Sequence, residues 1–203
     1  RALCEIKDSH SAVTLLKKDG RELLRRRTGG RGGHHAPYKS ALLKADFKTL
    51  FRALETVTPA QLDYIKEGVR LNLAAAKEGL KIKKVGYYIS DLIAKGYIKK
   101  DILSTAKLTT AAATDARMAG IPTPVMSSGQ SGNQGVVAIL VPYLVGKAFK
   151  VPEKRILKSI ALSHLVNAYI KVYTGELAPI CGCAVAAGAG AAVAIVWQRK
   201  GAN

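Results

Sequence analysis

Cysteine is scarce in this sequence, and its three residues are unevenly placed. Cys4 stands near the start, whereas Cys181 and Cys183 are separated by a single glycine near the end. This spacing is too sparse for the disulfide framework of a small secreted domain, so it favours a reducing compartment or metal chemistry. Neither a secretory signal nor a methionine opens the chain, and we interpret it as an internal piece of a longer polypeptide.

Acidic side chains are also few. The 203 residues contain 32 Lys and Arg against 14 Asp and Glu, which gives a net charge of +18. Residues 1–107 carry 23 of the basic and 11 of the acidic side chains, so the second half of the chain is much less charged. With 48% hydrophobic residues, the composition excludes a wholly disordered chain, a collagen and a coiled coil. A globular chain with a charged half and an apolar half is predicted.

The sequence lacks a strongly hydrophobic run of membrane-spanning length. Residues 178–197 form twenty positions without a charge, followed by Arg199 and Lys200. This run consists mainly of Ala and Gly and contains few large apolar side chains, so its transfer free energy into lipid is weak. We therefore predict a tightly packed helix in the centre of a helical domain and no membrane span. The apolar run 136–145 is too short to cross a bilayer.

The local sequence signals predict an α+β fold. Apolar runs flank a turn at Asp19 and Gly20, which predicts a β-hairpin over residues 1–24, the edge of a truncated α/β portion. Residues 25–40, rich in Arg and Gly, are interpreted as a flexible basic linker, with a phosphate-binding arm as the alternative. A mostly helical domain with a buried Ala/Gly-rich helix is predicted over residues 41–203.

Helical periodicity begins near Asp46. Thr58, Pro59 and Gln61 provide an N-cap, a proline at the first helical position and a capping-box amide, and Gly79 is interpreted as the C-terminal cap of that helix. Further helices are predicted near residues 87–95, 103–118 and 156–170.

A glycine-rich segment over residues 120–135 precedes the apolar run that starts at Val136. A helix that starts after these glycines would direct unpaired N–H groups and a partial positive charge at an occupant of the loop. An anion such as the carboxylate of an amino acid fits this arrangement. The segment matches neither the Walker pattern nor the dinucleotide fingerprint, and a purely structural turn stays an alternative.

Five other residues are candidates for the same region. Asp115 and Arg117 are nearly the only charges between residues 108 and 146, so we predict a buried pair that fixes the loop. His164 lies in an apolar helix, as either a hydrogen-bonded core histidine or a catalytic group. Cys181 and Cys183 would diverge by about 200° in a helix, so joint metal binding requires non-helical backbone. No familiar set of four zinc ligands is completed here.

Several of these segments together resemble the L-cysteine desulfidase family, which is related to the iron–sulphur L-serine dehydratase α chain. The resemblance is carried by a set of motifs: Lys107-Leu-Thr-Thr-Ala-Ala-Ala-Thr-Asp-Ala-Arg-Met-Ala-Gly, Ser131-Gly-Asn-Gln-Gly, Leu162-Ser-His-Leu and Ile180-Cys-Gly-Cys-Ala-Val-Ala-Ala. Asp8-Ser-His-Ser-Ala-Val also looks like the Gly-Gly-His-Thr-Asn-Ile segment of the family.

The resemblance implies a [4Fe–4S] lyase that eliminates sulfide or water from L-cysteine or L-serine, giving pyruvate and ammonia. In such chemistry three thiolates hold the cluster, and the fourth iron acts as a Lewis acid. The resemblance assigns cluster ligation to Cys181 and polar catalytic roles to His164 or His10. It assigns substrate binding to the residues of the glycine-rich motif: Ser131, Gly132, Asn133 and Gln134.

The sequence also departs from this family, because the Cys-Thr-Glu-Pro and Cys-Asp-Gly motifs are missing. Cys181 is the one credible ligand, and a single thiolate is too few to hold a [4Fe–4S] cluster. We therefore expect the chain alone to lack the cluster and to be inactive. It would then be either a fragment of the enzyme or a degenerate relative. We expect a cytoplasmic protein that does not contact the membrane and that binds an amino acid. Assembly into a homo-oligomer is an open alternative. The alternative function is a basic module that binds nucleic acid or an acidic partner, but the dispersed charges disfavour it.

Overall fold

The computed structural model describes residues 1–7, 13–26, 37–175 and 180–200. The chain divides into two compact units, residues 1–41 and residues 42–203. The described elements are strands and helices in the order of an α+β fold, as predicted. His10, one of the two predicted catalytic histidines, lies outside the described residues.

The first unit contains an antiparallel sheet with the strand order β1-β2-β3. Its strands are β1 (Ala2–Ile6), β2 (Val13–Lys18) and β3 (Arg21–Arg25). The turn between β2 and β3 has φ values of 50° at Asp19 and 81° at Gly20. Positive φ at both central residues matches the right-handed twist of the two strands, so the hairpin predicted from the Asp-Gly pair is confirmed.

The linker prediction for residues 25–40 is wrong at both ends. Strand β3 includes Arg25, and helix α1 (Pro37–Lys44) begins inside the predicted linker. A proline at the first helical position has the φ that a helix requires and lacks an N–H that would have no partner there. Residues 27–36 of this segment lie outside the described residues.

The second unit is helical, and each helix that the periodicity predicts is present. The helices are α2 (Phe47–Ala53), α3 (Pro59–Gly79), α4 (Val85–Ala94), α5 (Ile102–Met118), α6 (Gly132–Ala148), α7 (Glu153–Thr174), a π-helix (Cys183–Ala187) and α8 (Gly188–Lys200). The capping box of Thr58 and Gln61 starts α3 as predicted. Asp101 and Ser104 form a second capping box at the start of α5.

The main core lies where α3, α5, α6 and α7 meet, around Ile139, Leu140, Ile156 and Ile160. Gly79 lets α3 pack closely against α5, because a methyl group on Gly79 would lie 1.7 Å from the carbonyl oxygen of Ala112. The predicted capping role of Gly79 is therefore wrong. Gly79 is the last helical residue, and a close helix–helix approach accounts for the missing side chain.

The Ala-rich helix α8 is buried on one side, as predicted from its small residues. Ala194 has no exposed surface, and Ala191 is 2% exposed. The Gln198 side chain joins three helices, since its Oε1 accepts from Ser159 Oγ at 2.9 Å and its Nε2 donates to the Pro142 carbonyl at 3.1 Å. Within the described ranges, every helix is too short or too polar to traverse a lipid bilayer.

Candidate functional site

The glycine-rich segment forms a tight turn directly before α6. Ser128 and Ser131 exchange both backbone hydrogen bonds at 3.0 Å, and the two residues between them have positive φ, 52° at Gly129 and 64° at Gln130. Ser131 then caps α6, because its side chain accepts the N–H of Gln134 at 3.4 Å. The predicted helix is present, but it begins at Gly132, inside the glycine-rich segment and before Val136, and the polar turn lies at its positive end.

A buried asparagine of α3, which the sequence analysis missed, ties this segment to the core. Asn72 has no exposed surface, and its Nδ2 donates to the carbonyl of Gly135 at 3.3 Å. The N–H of Met126 donates to Asn72 Oδ1 at 2.9 Å. The one available signal was an asparagine on the apolar face of α3, in line with Ile65 and Val69. Asn72 therefore fixes both ends of the segment that carries the turn.

Two polar residues of α7 contact the turn from the other side. His164 Nδ1 lies 2.8 Å from Ser128 Oγ, and Asn167 Nδ2 donates to the same oxygen at 2.8 Å. The two side chains share a face of α7 because they are three residues apart. The structure thus joins His164, a predicted site residue, to Ser128 and Asn167, which the sequence analysis did not single out.

Four buried polar atoms of α6 and α7 have no hydrogen-bond partner within the part of the chain that the structure describes. Three belong to side chains at the turn, Gln134 Oε1, His164 Nε2 and Asn167 Oδ1, and the fourth, Ser163 Oγ, lies beside Gly190 of α8. Each such atom costs roughly 1–3 kcal/mol of folding free energy, so native proteins contain few of them. Gly129 lies between two of these side chains, since a methyl group there would be 3.0 Å from Asn167 Nδ2 and 3.4 Å from Gln134 Oε1. A polar ligand would satisfy these atoms.

The burial of His164 determines its charge. Removal of the ring from water lowers the pKa of His164 from its ordinary value of 6.5 to about 4. The imidazole is consequently neutral at neutral pH. A neutral ring carries a proton on one nitrogen only, so it donates one hydrogen bond and accepts another.

The segment with Cys181 packs against the first turn of α6. A methyl group on Gly182 would lie 2.3 Å from Gln134 Nε2, so these two residues are in direct contact. Cys181 is exposed and precedes the π-helix, a rare element that is frequent at functional sites. The structure therefore brings the glycine-rich turn and the Cys181 segment together, although they are distant in sequence.

The two thiols of this segment differ in acidity. Backbone N–H groups of Ala184 and Cys183 donate to Cys181 Sγ and lower the pKa of Cys181. Burial raises the pKa of Cys183, and the neighbouring Cys181 adds to this effect. Cys181 is therefore the better thiolate of the pair.

This difference predicts selective alkylation. At neutral pH, Cys181 is expected to react with iodoacetamide several-fold faster than Cys183, because the thiolate is the reactive form. Tandem mass spectrometry of the peptide that carries both residues measures the two rates separately. Equal rates, or faster modification of Cys183, would contradict the assignment.

The predicted pair of Asp115 and Arg117 is not formed within the described ranges. The Asp115 carboxylate is buried and accepts the N–H of Gly86 at 2.7 Å. Arg117 is exposed, and its Nη1 donates to Asn133 Oδ1 at 3.1 Å. Residues two apart on a helix project in nearly opposite directions, so Asp115 positions α4 while Arg117 reaches the turn.

Arg117 brings a positive charge to the start of α6. A methyl group on Gly132 would lie 2.3 Å from Arg117 Nε, so the guanidinium lies directly on the first residue of the helix. Arg117 also acts electrostatically on the Cys183 thiol. The positive charge that Arg117 was expected to bring to the loop is therefore present, without the predicted partner Asp115.

The described residues do not provide the donor set of an iron–sulphur cluster. Such a cluster requires three or four thiolates, and no group of three His, Cys, Asp or Glu side chains in the described ranges is placed to hold a metal ion. Cys181 by itself has the character of one ligand, because it is exposed and its thiolate is stabilised.

Comparison with known proteins gives a consistent picture. The family model of the serine dehydratase alpha chain matches residues 24–203. A UPF0597 protein of Geobacter sulfurreducens is 52% identical over 196 residues, covering 97% of this chain and 46% of that protein. A UPF0597 protein of Elusimicrobium minutum is 51% identical over 201 residues, covering 99% of this chain and 47% of that protein.

The chain thus spans about half the length of the curated relatives that it matches. No solved structure matches it significantly. The turn, the start of α6, His164 and the Cys181 segment all fall inside the region that the family model covers. The resemblance to the α chain of serine dehydratase is confirmed, and the chain belongs to the serine dehydratase alpha chain family.

Proposed function

We propose that this chain supplies the amino-acid-binding part of a lyase that eliminates water from L-serine or sulfide from L-cysteine. Membership of the serine dehydratase alpha chain family supports a dehydratase-type role in general. The observation that carries the more specific proposal is the group of buried, unpartnered polar atoms around the turn, in contact with the Cys181 segment. Such atoms are expected where a polar ligand completes the hydrogen bonding.

The chemistry of these atoms fits a zwitterionic amino acid. Gln134 Oε1 and Asn167 Oδ1 are carbonyl acceptors, and an α-ammonium group offers three N–H donors. Hydrogen bonds to a charged group contribute about 1.5–3 kcal/mol each. Arg117 and the first turn of α6 offer positive charge to the α-carboxylate.

The proposed reaction is a β-elimination. The α-proton is removed, and the β-hydroxyl leaves as water or the β-thiol leaves as sulfide, so that 2-aminoacrylate is formed. This enamine tautomerises to an imine, which water hydrolyses to pyruvate and ammonia. The neutral imidazole of His164 contributes a hydrogen-bonding group at the ligand, and Cys181 is the thiol of this chain that we assign to metal ligation.

The ammonium contacts can be tested with a matched pair of ligands. L-Serine and L-glycerate differ only in the amino group, so a site built around two carbonyl acceptors is expected to prefer L-serine. Substitution Asn167→Leu is expected to weaken L-serine binding by about 10- to 100-fold, which corresponds to one hydrogen bond to a charged group, and to leave glycerate binding nearly unchanged. Isothermal titration calorimetry measures both affinities.

Gln61→Leu serves as the control variant. The side-chain oxygen Oε1 of Gln61 accepts a hydrogen bond from the backbone N–H of Thr58 in the capping box of α3, away from the turn. This variant is expected to bind L-serine as the parent chain does. If the parent chain binds neither L-serine nor L-cysteine, or binds glycerate equally well, the amino-acid site is refuted.

A further inference from the structure

Ser128 Oγ occupies a central position between the turn and α7. The residue is 4% exposed, and its hydroxyl contacts Asn167 Nδ2 and His164 Nδ1, both at 2.8 Å. Within the described part of the chain, these are the contacts of this hydroxyl. A serine hydroxyl has one proton to donate and two lone pairs that accept.

The two contacts determine the direction of the hydrogen bonds. Asn167 Nδ2 can only donate, so Ser128 Oγ accepts from it. If His164 Nδ1 also donated, the buried hydroxyl proton of Ser128 and the lone pair of His164 Nε2 would both lack a partner, whereas a proton on Nε2 leaves only that N–H unpaired. The difference of one unsatisfied group corresponds to about 1–3 kcal/mol. The hydroxyl therefore donates to Nδ1, and a neutral ring that accepts at Nδ1 carries its proton on Nε2.

We propose that Ser128 is a positioning residue that fixes His164 as the Nε2–H tautomer, so that the imidazole presents a hydrogen-bond donor to the candidate site. The geometry of Ser128, His164 and Asn167 carries this inference, which does not depend on the identity of the substrate. Burial supports it, because it keeps the ring neutral.

Hydrogen bonds of the backbone around Ser128 fix the position from which its hydroxyl donates to His164. Its N–H and carbonyl are both bonded to Ser131, and Met126, two residues earlier, is bonded to the buried Asn72. The backbone that carries this hydroxyl is therefore fixed by contacts outside α7. As a result, the unpartnered atoms at the site divide into one donor, His164 Nε2–H, and two carbonyl acceptors, those of Gln134 and Asn167.

Nitrogen NMR of the full chain, labelled with ¹⁵N-histidine, tests the inference at neutral pH. Long-range ¹⁵N–¹H correlations distinguish the two tautomers, and His164→Asn identifies the signals of His164 among the four histidines. The expected result is a single Nε2–H tautomer with Nδ1 shifted as a hydrogen-bond acceptor. An Nδ1–H tautomer or a charged ring in the parent chain would overturn the inference, and this measurement requires no substitution at position 128.

Two variants then test the role of Ser128 itself. Ser128→Ala is expected to convert the single tautomer into an exchanging mixture and to abolish the acceptor shift at Nδ1. Ser128→Thr keeps a hydroxyl and is expected to retain the parent pattern. An unchanged pattern in Ser128→Ala, or loss of the pattern in a folded Ser128→Thr, would assign the tautomer to some other group. If Ser128→Ala does not fold, the parent chain and Ser128→Thr decide the question.

Discussion

Acidification from about pH 6.5 to pH 4 is expected to remove on the order of 3 kcal/mol from the free energy of unfolding, because of His164. Burial lowers the pKa of His164 to about 4, whereas the ring titrates near 6.5 in the unfolded chain. Between these values the unfolded state binds a proton that the folded state excludes. The stability that depends on a neutral His164 ring is therefore complete above pH 6.5, and it is lost as the pH falls towards 4.

Urea unfolding followed by circular dichroism at several pH values measures this loss. The variant His164→Asn, which has no titrating ring, is expected to show a much smaller decrease over the same range. His10, His34 and His35 are unchanged in the variant, so the difference between the two proteins isolates His164. Parallel stability curves for the two proteins would show that the ring of His164 is hydrated and charged in the folded state.

Substitution Gly79→Ala is expected to destabilise the helical unit by about 3 kcal/mol. The added methyl group would lie 1.7 Å from the carbonyl oxygen of Ala112, which is a backbone atom and cannot turn aside as a flexible side chain does. Helices α3 and α5 would have to separate, although alanine by itself favours a helix by about 1 kcal/mol over glycine. Chemical denaturation at neutral pH measures the net effect.

Gly188→Ala is the matched control. Gly188 begins α8, has a helical φ of −62°, and a methyl group there would meet Cys183 O at an ordinary distance of 3.4 Å. This variant is expected to be as stable as the parent chain or slightly more stable. If Gly79→Ala unfolds at the same denaturant concentration as Gly188→Ala, the close approach of α3 and α5 is not a packing constraint.

Local signals in the sequence predicted much of the architecture. The Asp19-Gly20 pair predicted a hairpin turn because few residue pairs tolerate positive φ at two successive positions. The box formed by Thr58 and Gln61 predicted the start of α3 because it pairs N–H groups within four residues. These features depend on neighbours in the chain, so the sequence is sufficient to find them.

The candidate site was only partly predictable. The glycine-rich motif, His164 and Cys181 were singled out, but the residues that complete the hydrogen bonding were not. Ser128 lies 36 residues from His164 and 39 residues from Asn167, and Asn72 lies 63 residues from Gly135. A serine or an asparagine has no distinctive pattern when its partner is on another helix. The predicted pairing of Asp115 with Arg117 failed for the same reason, since their actual partners lie on α4 and at the start of α6.

The sequence by itself determined where the turn between β2 and β3 and the helix α3 begin, and which segments carry the polar groups of the candidate site. Only the tertiary structure decided which of those groups face one another, which of them are buried without partners, and which glycine allows two helices to touch. Chain geometry acts over a few residues, whereas burial and hydrogen-bond pairing depend on the packing of helices that are distant in the sequence.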